Sequence, residues 1–126
     1  MGAKILDDRE LLEMAAKAAG YTIADWRDTY SGMRPALHDT HAPGRWLWDP
    51  LADDGDALRL AVKLNITICR PVSGDNVVHW GTYAMPEDQS DGPKVLDGDD
   101  PFAATRRAIV RAAAAIGAAH NIQGKA

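Results

Sequence analysis

Cysteine is nearly missing from this 126-residue chain, and the single Cys69 can form neither an internal disulfide nor a thiolate metal centre. A reducing compartment is the expectation that follows. Long apolar runs are missing too. No stretch approaches the roughly 20 residues of a membrane-spanning helix, and the opening MGAKILDDRE lacks the apolar core of a secretory signal. The chain therefore reads as a cytoplasmic protein of a bacterial cell, with no membrane as partner. Excess positive charge is a third absence. The formal charge is −4, which argues against a dedicated phosphate binder, because sequence-independent affinity for nucleic acid comes from lysine and arginine displacing counterions.

Catalytic and cofactor signatures are also sparse. There is no G-x-x-x-x-G-K-[ST] phosphate loop and no dinucleotide fingerprint. Ser31-Gly32 and Ser73-Gly74 are lone turn pairs, and Cys69 lies within an apolar run, where a thiol is usually inert packing. His38 and His41 have a spacing that two ligands of one metal can share. Zinc, however, needs at least three protein ligands, and no further histidine or cysteine is nearby. Asp53-Asp54-Gly55-Asp56 and Asp97-Gly98-Asp99-Asp100 look like fragments of calcium loops, yet counting back from either glycine puts Pro50 and Ala52, or Pro93 and Val95, where carboxylates belong. Acids just before a helix cap its free amides, and that reading suits both clusters. No enzyme, metal or other cofactor is expected.

What is present is ordinary globular material, 46% apolar and 25% charged, in a length typical of one domain. Asp7 and Glu10 form a capping-box pattern ahead of an apolar stripe that stops at Gly20, which predicts a helix over 8–19. Residues 21 to 23 read as a short extended piece. Residues 25 to 44 lose both helical and strand period to Gly, Pro, Asp, Ser and His and read as an irregular excursion. Residues 45 to 48 (RWLW) resume as a strand, placed beside the Tyr21 segment, with Trp46 and Trp48 on one face. Leu58, Ala61, Val62 and Leu64 mark the buried side of a second helix ending at Asn65. Residues 66 to 70 and 77 to 83 read as antiparallel strands about a turn at 71 to 76. Residues 86 to 99 read as an acidic surface loop. Asp100-Pro101 then opens a helix over 101–119, and 120–126 is expected to fray.

The expected fold is a single α+β domain of order α-β-β-α-β-β-α, with helices packed on a small antiparallel sheet. Its expected core comprises Leu11, Met14, Leu58, Ala61, Val62, Ile66, Ile68, Trp80, Phe102, Ile109 and Ile116.

Three groups of residues are candidates for partner binding. Trp26, Trp46 and Trp48 border the excursion, and a small sheet has little room to bury them all, so they are candidate interface anchors. Asp88 and Asp91 stand in the acidic loop. Arg106, Arg107 and Arg111 give the last helix a basic edge, which is the alternative, a nucleic-acid contact. A solvated helix face explains those arginines as well.

Residues 48 to 64 (WDPLADDGDALRLAVKL), together with 8 to 20 (DRELLEMAAKAAG) and 100 to 112 (DPFAATRRAIVRA), resemble a family of small proteins of uncharacterised activity in proteobacterial tailed phages and prophages. The W-x-P-L-x-D-D-G-D-A-L-R-L wording is its most specific part. The resemblance implies a phage or prophage accessory protein and carries no site residues with it. The expected function is binding of a host or phage protein, as an anti-CRISPR-like inhibitor of host defence does. The alternative is a nucleic-acid accessory or regulatory factor in phage replication. A homodimer is compatible with either.

Overall fold

The computed structural model describes residues 6–38, 45–69, 81–85, 94–96 and 100–123. In chain order these form α1 (Asp8–Ala19), β1 (Ile23–Thr29), β2 (Gly32–His38), β3 (Arg45–Leu47), α2 (Asp54–Lys63), β4 (Thr67–Cys69), β5 (Gly81–Met85), β6 (Lys94–Leu96) and α3 (Pro101–Gln123). The α+β expectation holds, but the strands divide into two antiparallel sheets, ordered β1-β2-β3 and β4-β5-β6. Each sheet follows a helix. No helix among the described residues is long and apolar enough to cross a membrane.

Helix α1 starts as the capping box requires. Asp7 Oδ1 accepts from the Glu10 amide at 2.8 Å, and Glu10 Oε1 accepts from the Asp7 amide at 3.3 Å. Its buried side, Leu11, Leu12, Ala15, Ala16 and Ala19, packs chiefly on α3, which itself buries Ala108, Val110, Ala112, Ala113 and Ala114 in the same core. Alanine at most of these positions lets the two helix axes come close. Helix α3 also packs on β5, β6 and α2, and α1 on β2.

The structure corrects the excursion expected at 25 to 44. Residues 23 to 38 form a two-stranded hairpin, with Trp26 opposite Pro35, Arg27 opposite Arg34 and Thr29 opposite Gly32. Residues 39 to 44 lie outside the described residues. β3 pairs with β2, not with the Tyr21 segment, through Ala36–Leu47 and Leu37–Trp46. β6 falls inside the stretch expected to be an acidic loop, because Lys94-Val95-Leu96 pairs with β5. α3 runs to Gln123, past the expected fraying point at 120.

The phase of α2 is corrected as well. It buries Asp56, Ala57, Leu60 and Ala61, leaving Leu58 and Val62 58% and 68% exposed. Phe102 is 69% exposed, and Ile68 is on the surface too. Leu11, Ala61, Ile66 and Ile109 are in the core as expected, with Met14 and Ile116 packed against it, and Trp80 lies outside the described residues. Since Leu58 removes little surface from water within one chain, Leu58→Ala should change the stability of dilute protein by no more than about 0.5 kcal/mol. Chemical denaturation of the two proteins checks this. A loss near the 2 to 5 kcal/mol of a buried leucine would restore the original helix phase.

Candidate functional site

The best-defined polar cluster joins the β1–β2 turn to the start of α2. Arg34 and Asp49 form an ion pair of 2.7 Å, with side chains only 6% and 13% exposed. Each terminal nitrogen of the guanidinium also donates once to a backbone carbonyl. Nη1 donates to the Met33 carbonyl and Nη2 to the Ser31 carbonyl, both at 2.9 Å. The second Asp49 oxygen accepts from Ser31 Oγ at 2.8 Å. Within the turn, Thr29 Oγ1 donates to the Gly32 carbonyl at 2.7 Å and accepts from the Ser31 amide at 3.2 Å. Gly32 has φ +122, and a Cβ there would come within 3.0 Å of the Arg34 guanidinium, so only glycine fits.

The α2 side is tied into the same cluster. The Asp49 amide donates to Asp56 Oδ2 at 3.0 Å, and Asp56 Oδ1 accepts from Arg59 at 2.8 Å. Asp53 caps α2 by accepting from the Asp56 amide at 2.8 Å. Residues 48 to 57 are therefore largely architectural. Trp48, Pro50 and Leu51 are buried, and the polar side chains between them cap, pair or clamp.

This clamp holds Tyr30 at the tip of the hairpin with its whole side chain in solvent. Beside Tyr30 is a cavity of about 240 Å³ whose lining includes Leu47, itself half exposed, and the carboxylates Asp49, Asp53 and Asp56. Arg34 pairs with Asp49, and Arg59 pairs with Asp56 at 2.8 Å and more distantly with Asp53 at 3.9 Å, so two arginines face three carboxylates and Asp53 stays 58% exposed at the rim. Ser31 touches a carboxylate, but the oxygens of Asp49 are taken by Arg34 and Ser31 itself, so the pair locks the turn.

The sequence-derived candidates fare unequally. Trp48 is 2% exposed and cannot act as a surface anchor. It packs edge-on against Tyr21 at 5.5 Å, and Trp46, 37% exposed, does so at 6.0 Å. The shared face expected for these two rings is present. Burial raises the Tyr21 hydroxyl above its ordinary 10.0, with Arg59 opposing and Asp56 adding to the shift. The ring therefore stays neutral where it packs. Trp26 is half-buried under the Arg9 guanidinium, 4.6 Å from the ring centre. Asp88 and Asp91 lie outside the described residues, as does His41, and His38 is exposed. No group of three potential metal ligands occurs among the described residues.

The basic edge of α3 is largely committed to the fold. Arg106 donates to the Leu51 carbonyl at 2.8 Å and pairs with Asp54 at 2.6 Å, while Arg107 pairs with Asp8 at 3.0 Å. Arg111 is exposed. Sequence reasoning missed Tyr30, Leu47 and the Arg34–Asp49 pair. The available signal was Thr29-Tyr30-Ser31-Gly32, a turn with a large aromatic at a position that packing does not require. No protein-family model, curated protein or solved structure matches this chain.

Proposed function

We propose that the protein is a non-enzymatic protein-binding module of a phage or prophage, an inhibitor of a host defence system of the anti-CRISPR kind, and that it docks through the hairpin tip. The observation supporting this reading is Tyr30, fully exposed on a turn that a buried ion pair and five further hydrogen bonds immobilise. Tyrosine is among the residues that most often dominate interface energies, and a turn whose backbone is already fixed loses little backbone entropy on docking. Leu47 extends the apolar contact. Asp53 places negative charge at the rim of the cavity, which suits a basic partner surface carrying a lysine or arginine. The assignment to host defence rests on the resemblance of residues 48 to 64 to phage proteins.

Tyr30→Ala should weaken partner binding about 30-fold or more, the loss expected at a hot spot, without a change in melting temperature. The assay is a tagged pull-down from the host with mass spectrometry, followed by titration of the protein recovered. Leu47→Ala should produce a smaller loss in the same direction. Retention of the same host protein at full affinity by both variants would move the working surface elsewhere on the molecule.

A further inference from the structure

The side of α2 that faces away from the core carries Leu58 and Val62, four residues apart and both mainly in solvent. Ile68 of β4 and Phe102 at the start of α3 extend the same apolar surface around a cleft of about 420 Å³ between the two helices. Ala57 and Ile109 also line the cleft, and the Asp54–Arg106 pair, 2.6 Å apart, is its charged edge. Large apolar groups gathered in one patch are what a buried interface leaves behind when its partner is absent.

Two features of the patch point to a second copy of this chain as that partner. It contains both a protruding phenyl ring and an apolar cavity with room for one, so it can complement itself across a two-fold axis. Charge follows the same symmetry. α2 begins at Asp53 and Asp54 and carries Arg59 and Lys63 in its second half. Within the chain Asp54 pairs with Arg106, Arg59 with Asp56, and Lys63 lies over Tyr21, but Asp54 and Arg59 remain 76% and 69% exposed, so two α2 helices laid antiparallel across Leu58 and Val62 still bring the acidic start of each toward the basic half of the other, with their dipoles opposed favourably. A parallel arrangement would set like charges side by side.

From this self-complementarity we infer that the α2–α3 cleft is a homodimer interface, in which Phe102 of each copy enters the cleft of the other. The interface uses none of Tyr30, Trp46 and Leu47. The dimer would carry two hairpin tips and could engage a repeated partner with avidity.

Sedimentation velocity across the micromolar range tests the inference. The mass of the wild-type protein should rise toward twice the 13.6 kDa of the chain. Phe102→Asp and Val62→Glu should each raise the dimer dissociation constant about 30-fold or more, as loss of a central apolar contact does. Both positions are exposed in the single chain, so circular dichroism should stay unchanged, and if one variant misfolds the other decides. In a Cys69→Ser background, Leu58→Cys should cross-link to itself under mild oxidation. Tyr30→Ala should leave the mass unchanged, which separates this interface from the proposed docking tip. A mass of 13.6 kDa at every concentration would overturn the inference, and so would association that persists undiminished in folded Phe102→Asp.

Discussion

Asp49→Ala is expected to lower the unfolding free energy by about 3 to 5 kcal/mol, the range for removing one partner of a buried ion pair. The cost arises because Arg34 stays behind. Its side chain is 6% exposed, its Nε loses its acceptor, and the carbonyls of Ser31 and Met33 that hold the other nitrogens carry no compensating charge. Ser31 Oγ loses its acceptor in the same change. A matched double replacement, Arg34→Met with Asp49→Leu, should cost less than Asp49→Ala alone, because no unpaired charge remains. Urea unfolding with an unchanged m value is the appropriate measurement. A loss below about 1 kcal/mol for the single variant would mean that water reaches Arg34 and that the pair is a surface contact. The same substitution releases the turn beneath Tyr30. Its effect on partner binding should therefore exceed that of Leu47→Ala, although Asp49 itself is buried.

The parts of the fold legible in the sequence are those governed by local rules. The Asp7–Glu10 capping box and the Asp100-Pro101 start of α3 lie within one helical turn, and each appears as written, with Asp100 Oδ1 accepting from the amides of Phe102 and Ala103 at 3.0 and 3.1 Å. The β1–β2 hairpin was not legible because its inner strand breaks the alternation on which strand recognition depends. Arg34, Pro35, Ala36 and Leu37 are all buried in succession, and proline is rare inside a sheet. Pro35 is tolerated for a reason found only in three dimensions. β3 has already ended opposite its missing N–H, and its carbonyl accepts the Trp48 amide at 2.9 Å.

The phase of α2 failed for a related reason. A helix with Leu58 and Val62 on one side and Leu60 on the other offers two apolar faces, and hydrophobicity alone chose the wrong one. What decides is Asp56. Its carboxylate must turn inward to receive the Asp49 amide, and that orients the helix so that Leu58 and Val62 face out. The same long-range pairing hides the candidate docking tip. Asp49 reads as one aspartate among several in an acidic run, and only the fold shows that it fixes Tyr30 from 19 residues away along the chain.

Gly117→Ala should destabilise the protein by about 2 to 3 kcal/mol, against the usual rule that alanine strengthens a helix interior. In an isolated helix the change would gain nearly 1 kcal/mol. Here α1 crosses α3 at this glycine, and a Cβ would overlap the Met14 carbonyl oxygen and come within 2.9 Å of its carbonyl carbon. The atoms in the way are backbone, so no rotamer change relieves the clash. α1 must instead move outward as a unit, loosening its almost completely buried face, Leu12, Ala15 and Ala16, from α3. Overpacking of this kind costs more than the helix propensity gained. Ala115, two residues earlier on the exposed side of α3, is the control. Ala115→Gly should lose about 1 kcal/mol through propensity alone. Differential scanning calorimetry should thus show both variants melting below wild type, Gly117→Ala by the larger margin, although the two substitutions have opposite effects on intrinsic helix stability. A rise in the melting temperature of Gly117→Ala would show that the helices are farther apart at this crossing, and that the alanines of α1 and α3 are filling space rather than permitting contact.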